Sequence, residues 1–162
     1  MLKETITSDL KEAMRSKDEV RLGTLRMLIS FMRNREIEKK AKLRKAGFVE
    51  DVEVAGALND EEVFDAIRSE VKKRRDAIAE FQKAGRTDLT DKESAELTVL
   101  QAYLSPEVGD DEIAAVVREV VDAMSATQKD FGKVMGEAMK RLKGQASGDR
   151  VSAEVKKILE NK

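Results

Sequence analysis

A glycine-rich and lysine-rich stretch, residues 130–151, holds the side chains of this sequence whose spacing best suits the binding of an anion. Gly132 and Gly136 lie one helical turn apart, and each glycine inside a helix costs about 0.5–1 kcal/mol relative to alanine. Such glycines indicate a close approach, either of a neighbouring helix or of a ligand backbone. Lys133 and Lys140 precede and follow Gly136 on the same helical face, so cations flank the open positions.

Further residues of this stretch surround the turn that follows. Gly144 is spaced as the residue just past a helix end, and Gly148 as the turn before the last helix. Lys143 and Arg150 lie beside that turn. The candidate nucleic-acid-binding residues are therefore Gly132, Lys133, Gly136, Lys140, Lys143, Gly144, Gly148 and Arg150.

Charge is strongly segregated along the chain although the net charge is only −1. Two basic runs, residues 39–45 and 72–75, allow two interpretations. One is a solvated face whose bases form ion pairs at four-residue spacing, such as Glu70 with Arg74. The other is contact with nucleic-acid phosphates, without stacking on bases because aromatic residues do not interleave with the cations. In that case the basic surface extends to Lys72, Arg74 and Arg75.

The acidic clusters, residues 61–65 and 110–112, occur at two predicted helix starts. Carboxylates are favoured there by the helix dipole, so we interpret them as capping and solubility features and not as Mg²⁺ ligands. The chain has no Cys and no His, which excludes disulfides, thiolate metal sites and His-activated nucleophiles. We predict no catalytic residue, no metal site and no cofactor for the isolated chain.

Apolar residues recur at three- and four-residue steps, which predicts helices almost everywhere. The first helix is expected over residues 2–15. Asp18 is a suitable cap for a second helix that runs to about residue 43. An acidic loop is expected over residues 48–58.

Two further helices complete the predicted N-terminal domain. The third begins at Asn59 or Asp60 and ends before Gly85, which is suited to the position after a helix end. The fourth begins at Thr90, whose spacing from Glu93 is that of a capping box. Ser105 and Pro106 interrupt the helical pattern, because proline disfavours a helical residue before it. We place the domain boundary here, with domains over residues 1–104 and 105–162.

The last third of the chain contains three apolar stripes of helical spacing, which predict a small three-helix domain. Charged residues make up 39% of the sequence and aromatic residues only 4%, a composition unlike that of strands. The predicted fold class is all-α, with an antiparallel N-terminal helical domain. No apolar run spans a bilayer, and the start lacks the apolar core of a signal peptide, so we expect a cytoplasmic protein without a membrane partner.

The motif around Gly132, Gly136, Gly144 and Gly148 resembles the tail shared by two groups of proteins. One is the YqeY family of small bacterial proteins. The other is the C-terminal domain of the B subunit of glutamine-dependent aspartyl/glutamyl-tRNA amidotransferase. Four earlier segments also look like YqeY: residues 20–28, 70–75, 80–86 and 96–104. The sequence departs from the family pattern at Ser147, where an Asp is usual, and at Ser105, inserted before Pro106.

The resemblance implies an N-terminal helical domain joined to a small tail domain that contacts the body of tRNA. It does not imply amide transfer, because the amidotransferase performs that chemistry in a separate catalytic domain. Three hypotheses follow. The first is a non-catalytic protein that binds tRNA or a tRNA-charging complex. The second is an adaptor that holds a partner protein's helix in an apolar groove between the domains. The third is a component of glutamine-dependent carbon–nitrogen ligase activity, by family association.

Overall fold

The computed structural model of the chain describes residues 1–48, 51–142 and 144–160. Within these ranges every regular element is a helix and none is a strand. The prediction of an all-α fold is therefore confirmed. The chain divides into two compact units, Met1–Tyr103 and Leu104–Lys162.

The first unit contains five α-helices in its described part. Two of them begin after a residue whose side chain accepts a hydrogen bond from a free N–H group of the first turn. Asp18 accepts a bond from Arg21 N at 3.0 Å, and Asn59 forms a reciprocal capping box with Glu62 at 2.9 Å in both directions. The helices are α1 Leu2–Ser16, α2 Glu19–Lys45, α3 Val52–Ala55, α4 Asp60–Lys83 and α5 Thr87–Gln101.

The start of α5 differs from the prediction. Gly85 adopts a left-handed conformation at φ 67°, and Arg86 N donates to Phe81 O at 2.9 Å. This turn closes α4 so tightly that the chain is helical again from Thr87. Thr90 is therefore not a cap but an interior residue, and its hydroxyl donates to Arg86 O at 3.0 Å.

The predicted acidic loop is also partly helical. Residues 52–55 form the short α3, and Val52 and Leu58 are buried against the rest of the unit. Leu58 N donates to Glu36 Oε1 at 3.1 Å, which fixes the chain before α4 begins. Residues 49 and 50 of the same predicted loop lie outside the described residues.

The core of the first unit is aliphatic, as its composition predicts. Tyr103 closes one end of this core: its hydroxyl donates to Asp9 Oδ2 at 2.5 Å, and Asp9 also pairs with Arg21 at 3.3 Å. This contact joins α1, α2 and the residue just past α5. The fully buried side chains with the largest volumes in this unit are Ile6, Leu25, Leu28, Met32, Val63, Ile67 and Leu100.

The second unit packs three α-helices around one core within its described residues. Val108 N donates to Gln145 O at 2.9 Å, which attaches the segment before α6 to the α7–α8 connection. Ser105 and Pro106 lie outside any helix. The helices are α6 Asp110–Ala123, α7 Phe131–Leu142 and α8 Gly148–Glu160, with a 3₁₀ turn at Gln128–Asp130. Their buried residues include Ile113, Val117, Val120, Val121, Val134, Ala138, Leu142, Val151 and Val155.

Candidate nucleic-acid interface

Thr127 and Asp130 determine where α7 begins. The Thr127 N–H and hydroxyl donate to Asp130 Oδ2 at 3.1 and 3.0 Å. These two bonds, with a smaller contribution from nearby Lys133, hold the pKa of the Asp130 carboxyl below its ordinary value. The 3₁₀ turn then passes directly into α7 at Phe131. Gly132 and Lys133 consequently lie in the first turn of this helix.

The two glycines of α7 face open space. Gly132 is exposed and Gly136 is half-buried. A Cβ atom added at either position would meet no neighbouring atom within 4 Å. No other helix of the described chain therefore approaches closely enough to require glycine here. Of the two explanations for these glycines, packing inside the chain has no contact to support it.

A shallow groove of about 500 Å³ runs along this face of the second unit. It brings together four of the predicted site residues, the two glycines with Lys133 and Lys140. It also includes Met124, from the end of α6, and two charged residues of α7. The groove is lined by Met124, Gly132, Lys133, Gly136, Glu137, Lys140 and Arg141.

The cations of the groove form only long ion pairs. Lys133 lies 3.6 Å from Asp130, and Lys140 lies 3.9 Å from Glu137. The two lysine side chains are 75% and 72% exposed, and exposed ion pairs of this length contribute little to stability. Arg141, which the sequence reasoning missed, pairs with Glu137 at 3.7 Å. Its position four residues after Glu137 was the available signal, since that spacing returns to the same face.

Gly144 and Gly148, also predicted, do not line this groove. Gly144 is buried and left-handed at φ 77°, as a residue past a helix end should be. Gly148 is the first residue of α8 and so part of the helix instead of the turn before it. Lys143 lies outside the described residues.

Arg150 is engaged in contacts within the second unit. Its Nη2 donates to Asp110 Oδ1 at 2.6 Å and to Val108 O at 2.9 Å. Its Nη1 also lies 3.5 Å from Glu107 Oε2. These bonds attach α8 to the segment that enters α6. An incoming phosphate would have to displace Asp110, so the geometry gives Arg150 a positioning role in the fold.

The proposed basic extension is not a continuous surface. Arg74 is buried, with its side chain 7% exposed, and its Nη1 donates to Glu70 at 2.9 Å. Its Nη2 donates to Glu96 on α5 at 2.8 Å. Lys72 and Arg75 are exposed. Arg74 therefore holds α4 and α5 together and cannot present its charge to an RNA in this structure.

Several bases of the run over residues 39–45 also form ion pairs with acidic side chains. Lys39 pairs with Glu62 at 2.7 Å, and Lys40 donates to Glu53. Arg44 lies 3.6 Å from the same Glu53. These bases thus attach α2 to α3 and to the start of α4, which supports the ion-pair interpretation with partners on other helices.

Comparison with known proteins identifies the family. The model of the Yqey-like protein family matches residues 3–159, nearly the whole chain. The chain belongs to the Yqey-like family. This match confirms the YqeY resemblance, whereas the likeness to the amidotransferase tail stays a prediction.

Curated relatives of this Yqey-like protein are found in fungi. The protein named Altered inheritance of mitochondria protein 41, mitochondrial, from Pyrenophora tritici-repentis is 31% identical over 95% of this chain and 78% of its own length. Its namesake from Kluyveromyces lactis is 28% identical over 96% of this chain and 82% of its own length. These names describe mitochondrial proteins, and they state no enzyme activity and no tRNA ligand. The resemblance to a family of small bacterial proteins also leads us to expect a bacterial origin, and these fungal relatives give that expectation no support.

Two properties of the described residues bear on membranes and metals. None of the described helices is both long and apolar enough to cross a lipid bilayer. The carboxylates in the described ranges form no cluster arranged to hold a metal ion. Glu62 and Asp110 instead serve the cap of α4 and the contact with Arg150.

Proposed function

We propose that this Yqey-like protein is a non-catalytic accessory protein that binds tRNA, or a tRNA-charging complex, through the α7 groove of its second unit. One observation carries the proposal. Two glycines one turn apart, Gly132 and Gly136, leave open space in a groove that three cations line. A sugar–phosphate backbone is the kind of ligand that needs both close approach to a helix and flanking positive charge.

The weak ion pairs of the groove support this assignment. A phosphate that contacts Lys133 or Lys140 replaces a solvent-exposed carboxylate contact of 3.6–3.9 Å. Little stability is lost in that exchange. Contacts of this kind read charge and backbone shape and not base sequence, because neither lysine is set in a pocket that could receive a base edge. The ligand class is therefore a structured polyanion, with tRNA as the member that the family resemblance implies.

We propose that the isolated chain has no catalytic activity because of the residue types that it contains. The sequence has no His and no Cys, and the groove contains one carboxylate, Glu137, which is paired with Arg141. A nucleophile with an adjacent base, the usual requirement for acyl transfer, has no candidate among these side chains. Incubation of the pure chain with glutamine, ATP and misacylated tRNA should yield no amide. Amide formation without added subunits would refute this part of the proposal.

We propose that the protein is located in the compartment in which its tRNA partner is aminoacylated. In a bacterium this is the cytoplasm, and the names of the fungal relatives favour the mitochondrion for those proteins. Cell fractionation with an antibody to the full chain tests this. Recovery of the chain outside the fraction that contains the aminoacyl-tRNA synthetases would contradict it.

The main experiment is a titration of tRNA against the full chain at two salt concentrations. Wild type should bind, and its affinity should fall steeply with salt because phosphate contacts release counterions. The variant Lys133→Glu/Lys140→Glu should lose about tenfold or more in affinity. A matched control, Lys11→Glu/Lys156→Glu, changes the net charge equally at exposed lysines that do not line the groove.

The outcomes separate the hypotheses. Loss of binding in the groove variant but not in the control supports the α7 site. Equal binding by both folded variants would show that the polyanion binds elsewhere. Failure of wild type to bind tRNA, together with recovery of a protein partner after nuclease treatment, would favour the adaptor hypothesis.

A further inference from the structure

One face of α2 packs against no other described helix of the first unit. Val20 and Met27 are 47% and 56% exposed, and Gly23, Ser30 and Asn34 are exposed as well. These five residues follow one another at alternating three- and four-residue steps. That spacing places them in a single stripe along the helix. The opposite side of α2 supplies the buried Leu25, Leu28 and Met32.

The stripe borders a groove between α2, α4 and α5. This α2 groove has a volume of about 700 Å³. Met27, Phe31 and Ala77 give it apolar surface, while Ser30 and Asn34 offer neutral hydrogen-bonding groups. The Phe31 ring lies beneath two cations, with Lys73 Nζ at 4.3 Å and Arg35 Cζ at 5.0 Å from its centroid. The remaining lining residues are Arg26, Glu70, Lys73, Arg74, Lys92, Glu93 and Glu96.

The free charge around this groove is positive. Two cations balance Glu70 and Glu96: Arg74 lies 2.9 Å from Glu70 and 2.8 Å from Glu96, and Lys73 lies 2.7 Å from Glu70. Of the lining residues in the described chain, Arg26 and Lys92 form no ion pair. Arg33, which is exposed and lies two turns after Arg26 on α2, forms none either. Among the described lining residues, Glu93 is the one carboxylate that forms no ion pair. An occupant that carries acidic groups would therefore meet complementary charge.

The shape of the stripe fits an α-helix. Alternating three- and four-residue steps are the pattern by which two helices interlock their side chains. A Cβ atom at Gly23 would meet nothing within 4 Å, so a partner helix can approach the α2 backbone closely at this turn. Met27, which is unbranched and flexible, can adapt to the apolar residues of such a partner.

Two other occupants fit less well. A second copy of the chain that packed α2 on α2 would bring Arg26 and Arg33 against the same arginines, and like charges at close range are costly. A nucleic-acid backbone would lie against Met27 and beside the carboxylate of Glu93. A polypeptide with apolar and acidic residues satisfies both parts of this surface.

We propose that the α2 face and its groove bind an amphipathic helix of a partner protein whose apolar stripe is flanked by Asp or Glu. The proposal goes beyond tRNA binding and does not depend on it, because the surface lies entirely in the first unit.

The test uses three synthetic helical peptides of about three heptads each. The acidic peptide carries Leu at the stripe positions and Glu beside them, and the basic peptide replaces each Glu with Lys. The scrambled peptide has the composition of the acidic one without its spacing. The full chain should bind the acidic peptide about tenfold more tightly than either of the others, as measured by fluorescence anisotropy of the labelled peptides.

Two variants make the test specific. Arg26→Glu/Arg33→Glu should reverse the preference toward the basic peptide, while the control Lys11→Glu/Lys156→Glu keeps the preference of wild type. Gly23→Gln changes no charge and has room to fold, yet its side chain blocks close approach and should weaken binding of the acidic peptide.

Three results would overturn the proposal. The first is equal binding of the acidic and scrambled peptides. The second is a dimer in sedimentation that Arg26→Glu/Arg33→Glu dissociates, with no peptide bound. The third is loss of tRNA binding in that variant while the acidic peptide does not bind to wild type. None of these results depends on the α7 groove, so they are distinguishable from failure of the proposed function.

Discussion

Arg74 on α4 donates from Nη2 to Glu96 Oε2 on α5 at 2.8 Å, and the arginine side chain is 7% exposed. The same guanidinium bonds Glu70 at 2.9 Å. One cation thus bonds two carboxylates near the core; Glu70 also pairs with Lys73 at 2.7 Å, whereas the ion pair of Glu96 within the described residues is the one with Arg74. Removing one member of a buried pair is far more destabilising than removing an exposed charge.

Arg74→Ala should therefore lower the free energy of unfolding by about 3–5 kcal/mol. The control is Lys72→Ala, two residues earlier on the same helix and exposed, which should change it by less than about 0.5 kcal/mol. Urea unfolding followed by circular dichroism measures both. Equal effects of the two variants would contradict the structural role of Arg74.

Replacing the open glycines of α7 should separate stability from binding. The methyl group of Gly132→Ala or Gly136→Ala would meet no neighbouring atom. Gly136→Ala, inside the helix, should stabilise it by about 0.5–1 kcal/mol, and Gly132→Ala, in the first turn, by less. The added methyl groups stand where a ligand backbone would approach, so tRNA affinity should fall in the same variants. Thermal unfolding and tRNA titration measure the two effects. A double variant that is more stable than wild type and binds tRNA equally well would show that the glycines are needed neither for packing nor for the approach of a ligand.

Arg150 should behave as a structural residue of the second unit. Arg150→Ala removes bonds to Asp110 and to Val108 O, and hydrogen bonds to charged groups contribute about 1.5–3 kcal/mol. Because the side chain is one-third exposed, at 33%, we expect a loss of about 1–2 kcal/mol. Lys140→Ala, on an exposed side chain of the groove, should leave stability nearly unchanged. Amide hydrogen exchange should then show faster opening of the first turn of α6 in Arg150→Ala alone.

Tyr103 should make stability depend on pH at alkaline pH. Burial, with the hydrogen bond to Asp9, raises the pKa of Tyr103 from 10.0 to about 12. The folded state therefore holds the phenolic proton more tightly than the unfolded state. The resulting stabilisation is complete below pH 10 and is lost as the pH rises toward 12.

Tyr103→Phe provides the comparison. Wild type should exceed this variant in free energy of unfolding by a constant amount below pH 10, and the difference should shrink above it. Urea unfolding at a series of pH values measures this difference. Parallel pH profiles for the two proteins would mean that Tyr103 has the same pKa in both states.

Helix boundaries were predictable where a local signal decides them. Asp18 and the glycines at 85 and 144 each act within one turn of their own position, so sequence alone identifies them, and it narrows the start of α4 to Asn59 or Asp60. The predicted start of α5 was wrong because an earlier local signal decides it. Thr90 and Glu93 match a capping box, but the turn at Gly85 had already returned the chain to a helix at Thr87.

The roles of the bases were not predictable in the same way. Arg74 and Lys72 belong to one basic run. The four-residue spacing predicts the pair of Arg74 with Glu70, but its contact with Glu96 on another helix depends on the fold. Arg150 lies within the glycine motif, yet its partner Asp110 is forty residues away in the chain. Helical periodicity indicates which face of its own helix a base occupies but not which carboxylate the fold brings to it. Gly132, Lys133, Gly136 and Lys140 were predictable as a group because all four belong to one helix.

The chain contains one Tyr and no Trp, so its intrinsic fluorescence comes from a single phenol ring. That ring is Tyr103, which is hydrogen-bonded to Asp9 inside the first unit. Tyrosine emission thus acts as an optical reporter of how α1 and α2 pack at this end of the unit, and it is silent about α6, α7 and α8. Far-ultraviolet circular dichroism, in contrast, sums the helices of both units. Recording the two signals in one melting experiment would show, without any label, whether the halves of this protein lose their structure at the same temperature.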